Sequence, residues 1–97
     1  MQLRGKQRRH LRALGHHLEP AVRVGKAGVA GAVLRAADEA LSRHELIKVR
    51  REPECPEDRR SLAEALAREL GAEVVQTLGR TLLLYRPSPD GPRIALP

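Results

Sequence analysis

Two glycines three residues apart, in Val22-Arg23-Val24-Gly25-Lys26-Ala27-Gly28, are the residues of this chain whose type and spacing best suit chemistry. That chemistry is the holding of a phosphate. Glycines let the main chain approach a nucleic-acid backbone closely, a helix beginning behind them turns free N–H groups outward, and Lys26 adds a movable positive charge. G-x-x-G also occurs in plain turns, and Gly28-Val29-Ala30-Gly31 is a second match here.

The distribution of charge points the same way. Residues 1–35 carry eight Lys/Arg (Arg4, Lys6, Arg8, Arg9, Arg12, Arg23, Lys26, Arg35) against Glu19, a net +7, and the remaining residues balance to −1. Like charges crowded at one end repel unless a polyanion neutralises them, so a basic face with an anionic partner is implied. The plain alternative is a solvated helix face.

Composition narrows the possibilities. At 97 residues the chain should form one domain with a modest core of Ala, Leu and Val. Tyr85 is the only aromatic ring, so a surface that stacks bases on Phe, Tyr or Trp is excluded. Binding would rest on phosphates, 2′-hydroxyls and helix shape. Cys55 is the only cysteine, which rules out an intramolecular disulfide and a thiolate-rich zinc site. His16-His17 are adjacent, and His44-Glu45 lacks the second His of H-E-x-x-H, so no metal or other cofactor is expected. No apolar run approaches membrane-spanning length, and the chain is expected to be soluble and cytoplasmic.

The elements that must position the loop follow from periodicity. Residues 4–15 read as a helix with Leu11 and Leu14 on one stripe, continued by Leu18, and with Arg8, Arg9 and Arg12 projecting to solvent. Gly15 can close it, and Ala21–Val24 reads as an extended segment ending at the glycine loop. A second helix over 30–43 places Val29, Val33, Leu34, Ala37 and Leu41 on an apolar face, with Arg35, Glu39 and Arg43 exposed in structural roles. Leu46–Arg51 alternates as a strand, with Ile47 and Val49 on one side and Lys48 and Arg50 extending the basic surface on the other. Glu52–Glu57 reads as a loop too acidic to touch nucleic acid. A third helix over Asp58–Leu70 stops at Gly71, Val74-Val75 and Thr81–Tyr85 form a hairpin, and the segment from Pro87 is expected to be loose.

The order helix-strand-helix-strand-helix-strand-strand predicts an α/β fold of two layers. Right-handed crossovers put helices two and three on one face of a mixed four-stranded sheet whose last strand is reversed. The glycine loop then lies at the carboxyl edge of strand one, where α/β sheets commonly hold ligands.

Four blocks in this order resemble the CRM domain (chloroplast RNA splicing and ribosome maturation) in its stand-alone bacterial YhbY-like form. They are Leu3-Arg4-Gly5-Lys6-Gln7-Arg8-Arg9-His10-Leu11, Val24–Gly28, His44–Val49 and Gly79–Pro87, so the resemblance covers nearly the whole chain. It implies a fold similar to the C-terminal domain of translation initiation factor three, RNA binding, and association with precursors of the large ribosomal subunit. Position by position, it assigns the glycine loop to Gly25, Lys26, Ala27 and Gly28, the basic helix to Lys6, Arg8, Arg9 and Arg12, and a strand lysine to Lys48. Ala27 departs from the polar residue common at its position, which leaves contacts there to backbone N–H groups and Lys26.

The expectation is a monomeric, non-enzymatic ribosome assembly factor that clamps ribosomal RNA through those residues. Other readings stand beside it: an architectural binder resembling Alba, which would hold duplex DNA and RNA alike, an RNA-cleaving enzyme, or a protein-only adaptor. No paired carboxylates, nucleophile-base pair or metal set favours the enzyme.

Overall fold

The computed structural model describes residues 2–97. Its elements follow the expected order: α1 (Gly5–Gly15), β1 (Pro20–Val24), α2 (Gly31–His44), β2 (Leu46–Arg51), α3 (Arg59–Leu70), β3 (Glu73–Leu78) and β4 (Thr81–Tyr85). One sheet joins the strands as β1-β2-β4-β3. β1 and β2 are parallel, and β4 runs antiparallel to both β2 and β3, so the α/β fold is built on a mixed sheet as predicted.

The alternation of strand residues divides the core in two. Val22, Val24, Ile47, Val49, Leu82 and Leu84 face α2 and α3, where Leu41, Leu62 and Leu66 complete the larger cluster. Leu46, Leu83 and Tyr85 face the other way and pack with Leu11 of α1. Beyond the two expected layers, α1 therefore adds a partial third on the opposite face. Local signals agree with the boundaries. The Asp58 carboxylate accepts from the Ser61 N–H at the start of α3, and Gly71 closes that helix in the left-handed region at φ 62°.

Docking of α1 depends on close approach. Gly15 is buried at the last turn, and a Cβ there would lie 2.5 Å from Leu83 Cδ1. This glycine is required by packing rather than by a turn. Because contact is centred on Leu11 and Gly15, the expected leucine stripe is only partly covered: Leu14 is 43% exposed and Leu18, beyond the helix, 37%.

The segment from Pro87, expected to be loose, is irregular but tied to a buried carboxylate. Glu45 is fully buried and holds φ +65°, a conformation that L residues seldom adopt. Its Oε2 accepts from the Ser88 N–H (2.7 Å) and its Oε1 from the N–H groups of Arg93 and Ile94 (both 2.9 Å). Ile94 and Leu96 then pack on the α1-side cluster. Burial pushes the Glu45 carboxyl up, but these N–H groups and the Arg93 guanidinium outweigh it and hold the carboxyl below the ordinary value of 4.5.

A carboxyl depressed on folding stabilises the protein above its unfolded pKa, and that stabilisation is lost as pH falls through the folded value. Urea melts taken from neutral pH to about pH 3 should show this loss below the ordinary carboxylate range, and Glu45→Gln should shrink it. At neutral pH that substitution should cost about 1–3 kcal/mol, because an amide cannot accept all the donors. Gly15→Ala should also destabilise, by about 1–2 kcal/mol in the same melts, since overpacking against Leu83 exceeds the helix propensity gained. A stabilised Gly15→Ala would contradict the close-approach account.

Candidate nucleic-acid interface

β1 delivers the glycine loop to the sheet edge by burying Val22 and Val24. The Gly28 N–H donates to Gly25 O (2.9 Å), closing a turn that leaves Lys26 and Ala27 exposed at its tip. Gly28 is buried at φ +66°, the one loop position where the backbone itself requires glycine. Ala30 caps α2 in extended conformation without a side-chain hydrogen bond, so the first-turn N–H groups of Gly31, Ala32 and Val33 have no partner within the helix. These donors and Lys26 form an electropositive tip.

Two neighbours of the loop were not signalled by the sequence as parts of the site. The Arg35 guanidinium folds back over the start of α2, its Nη1 being 3.2 Å from where a Cβ on Gly31 would lie. Its four-residue spacing from Gly31 was the available signal. The acidic loop Glu52–Glu57 lies directly against the glycine loop. A Cβ on Gly28 would meet Glu57 Oε1 at 2.5 Å, and Glu54 Oε1 is 4.0 Å from the corresponding point on Gly25. Arg51 fixes this acidic loop by donating from Nε to Glu57 O (2.6 Å) and from Nη2 to Cys55 O (3.1 Å). Cys55 is buried in the core, and burial pushes its thiol above the ordinary value.

The basic helix divides. Lys6, Arg9 and Arg12 are exposed and make no ion pair among the described residues. Arg8 departs from the expected outward projection. Its Nη1 donates to the carbonyls of Val74 (2.7 Å) and Val75 (3.1 Å), latching α1 onto the edge strand β3 at the register shift between Val74 and Gln76. Arg86 is likewise structural, donating to Asp38 Oδ1 (2.8 Å), Leu70 O (2.9 Å) and Ser42 Oγ (3.0 Å), which ties α2 to the end of α3.

Lys48 is half-buried on the α1 side of the sheet, beside a shallow groove of about 450 Å³ lined by Leu14, Leu18, Ala21, Leu46 and Ile94. It pairs in register with Pro20, at the far end of β1 from Gly25. Five strand steps, roughly 16 Å, separate the two positions. The expected residues thus fall into separate regions: the tip with Gly25, Lys26, Ala27 and Gly28, Lys48 on the α1 side of the sheet beside Leu14 and Leu18, and the exposed Lys6, Arg9 and Arg12 on α1 itself. Among the described residues no group of three or more His, Cys, Asp or Glu could hold a metal ion.

The sequence and the architecture have counterparts among known proteins. A family model described as the CRS1 / YhbY (CRM) domain matches residues 3–86. The chain is 44% identical over 95 residues to a Bacillus subtilis protein named "Probable RNA-binding protein YqeI", covering 98% of this chain and 99% of that one. It is 42% identical over 92 residues to an RNA-binding protein of Haemophilus influenzae, covering 95% and 92% of the two chains. The solution structure of the Staphylococcus aureus protein SAV1595 superposes with a TM-score of 0.82 at 36% identity, covering 99% and 100% of the two chains.

The two loop glycines should respond differently to substitution. Gly28→Ala should cost about 1–2 kcal/mol in urea melts, because it combines a positive φ with a clash against Glu57. Gly25→Ala should stay within about 0.5 kcal/mol, since its surroundings are open. Equal costs at both positions would contradict the loop geometry.

Proposed function

The chain belongs to the CRS1/YhbY (CRM) domain family, and from that premise we propose that it is an RNA-binding protein acting in assembly of the large ribosomal subunit. The observation that carries RNA binding is the glycine-loop tip, where Lys26 stands beside uncapped N–H groups on a chain whose first 35 residues hold a net +7. The assignment to ribosomal RNA precursors rests on the four-block family resemblance.

In this reading Gly25, Lys26, Ala27 and Gly28 receive one phosphate through the Lys26 ammonium and main-chain N–H groups. Lys6, Arg9, Arg12 and Lys48 engage further backbone on the α1 side, and Arg8 acts by holding α1 in place. The protein holds RNA without cutting it, and works as a monomer in the cytoplasm. No described helix is long and apolar enough to cross a membrane.

If about five phosphates are neutralised, the slope of log affinity against log salt should be near −3.5 to −4.5. A slope near zero would overturn the electrostatic clamp. Crosslinking and sequencing of bound RNA in cells should enrich large-subunit precursor, and Gly25→Asp, which adds a negative charge to the loop beside Glu54 without the constraint at Gly28, should abolish that enrichment. Equal capture of unrelated RNA and duplex DNA would instead identify a general architectural binder.

A further inference from the structure

Arg23 and Arg50 are paired residues of the parallel strands β1 and β2, and their side chains leave the sheet on the same side. Neighbouring strands are about 4.8 Å apart, so two guanidinium groups so placed repel unless an anion lies between them. A single carboxylate serves both. Glu52 Oε1 accepts from Arg23 Nη1 at 3.1 Å and stands 3.6 Å from Arg50 Nε, too far for a hydrogen bond. Arg50 Nε is buried and has no hydrogen-bond partner among the described residues, although the Arg50 side chain as a whole is 40% exposed. The Arg23 side chain is 61% exposed.

Two cations share one anion, leaving an excess of one positive charge and an unsatisfied buried donor. The group lies beside the glycine loop, because Arg23 is two residues before Gly25 and the Glu52 N–H donates to Val24 O at 2.9 Å. Arg51, the adjacent arginine, points through the other side of the sheet and is already occupied by the carbonyls of Cys55 and Glu57. Thr81, opposite Arg50 on β4, donates its hydroxyl to Leu78 O at 2.8 Å, and its oxygen accepts no hydrogen bond from Arg50 Nε.

We propose that Arg23 is a further phosphate-binding residue for RNA, masked by Glu52 in the free protein and released when the Glu52 carboxylate passes to Arg50. The inference rests on the RNA-binding reading above. An exposed ion pair such as Arg23–Glu52 is a weak contact, whereas a planar guanidinium takes two phosphate oxygens at once. A shift of a few tenths of an ångström would complete the hydrogen bond between Glu52 and the buried Arg50 Nε. The incoming phosphate then supplies the missing negative charge, so both guanidinium groups end paired and the local sum is zero. Glu52 thereby sets how strongly a phosphate must compete for Arg23.

The test is the salt dependence of binding to a labelled large-subunit ribosomal RNA transcript. Its arms are the unaltered protein, Arg23→Ala, Glu52→Gln, Lys26→Ala as a reference at the loop tip, and Arg60→Ala on α3 as a control for net charge. Arg23→Ala should weaken binding and reduce the steepness of the log-log slope by about 0.7–0.9, the loss of one phosphate contact. Arg60→Ala should leave the slope unchanged. Glu52→Gln should tighten binding about two- to fivefold by removing the competitor for Arg23. If Lys26→Ala lowers the slope and Arg23→Ala does not, the Arg23 site is overturned while the RNA-binding reading stands. Weaker binding by Glu52→Gln would overturn the exchange. Absence of salt-dependent binding by the unaltered protein would overturn both the reading and the inference, and thermal melts of each variant would separate these results from unfolding.

Discussion

β4 has to be apolar on both faces, and the rest of the molecule is arranged around that requirement. It lies between β2 and β3 in the sheet, with Leu82 and Leu84 covered by the α2–α3 side and Leu83 and Tyr85 covered by the α1 side. A central strand buried on both faces reads as a continuous apolar run, as Leu82–Tyr85 does. The consequence is that α1 is part of the core. Its close seat on Leu83 at Gly15 orients the exposed Lys6, Arg9 and Arg12, and the C-terminal segment completes the same side through Ile94 and Leu96.

Arginine performs opposite tasks in this small chain. Arg8, Arg51 and Arg86 donate to backbone carbonyls and join segments distant in sequence or stiffen a loop. A planar group with five donors suits such work, because it satisfies several carbonyls at once while its aliphatic stem covers apolar surface. Arg9 and Arg12, exposed and in no ion pair among the described residues, keep their charge available. Basic composition therefore overstates the binding surface, and the count of available charges depends on which guanidinium groups meet a carbonyl first.

The glycine loop lies in a mixed field. Lys26, Arg35 and the α2 start are positive, yet Glu54 and Glu57 stand behind Gly25 and Gly28. Carboxylates this close disfavour any anion that approaches from behind, and leave the exposed tip as the favourable side. Opposing charges around one loop also limit indiscriminate attraction of polyanions.

Periodicity and turn chemistry in the sequence were sufficient for the element order, the mixed sheet and the glycine loop, because each is a local or near-local property: alternation in Ile47 and Val49, the leucine spacing of the third helix, the stop at Gly71. Family resemblance supplied the RNA-binding expectation, which no periodicity contains. Only the tertiary structure decided that Arg8 turns inward, that Lys48 stands a strand length from Gly25, that the acidic loop backs the glycine loop, and that Glu45 gathers the C-terminal N–H groups. Each of these joins residues far apart in the chain through a hydrogen bond, a register or a close approach. A sequence displays the charge and size of a side chain but not which distant carbonyl or carboxylate the fold brings within about 3 Å of it.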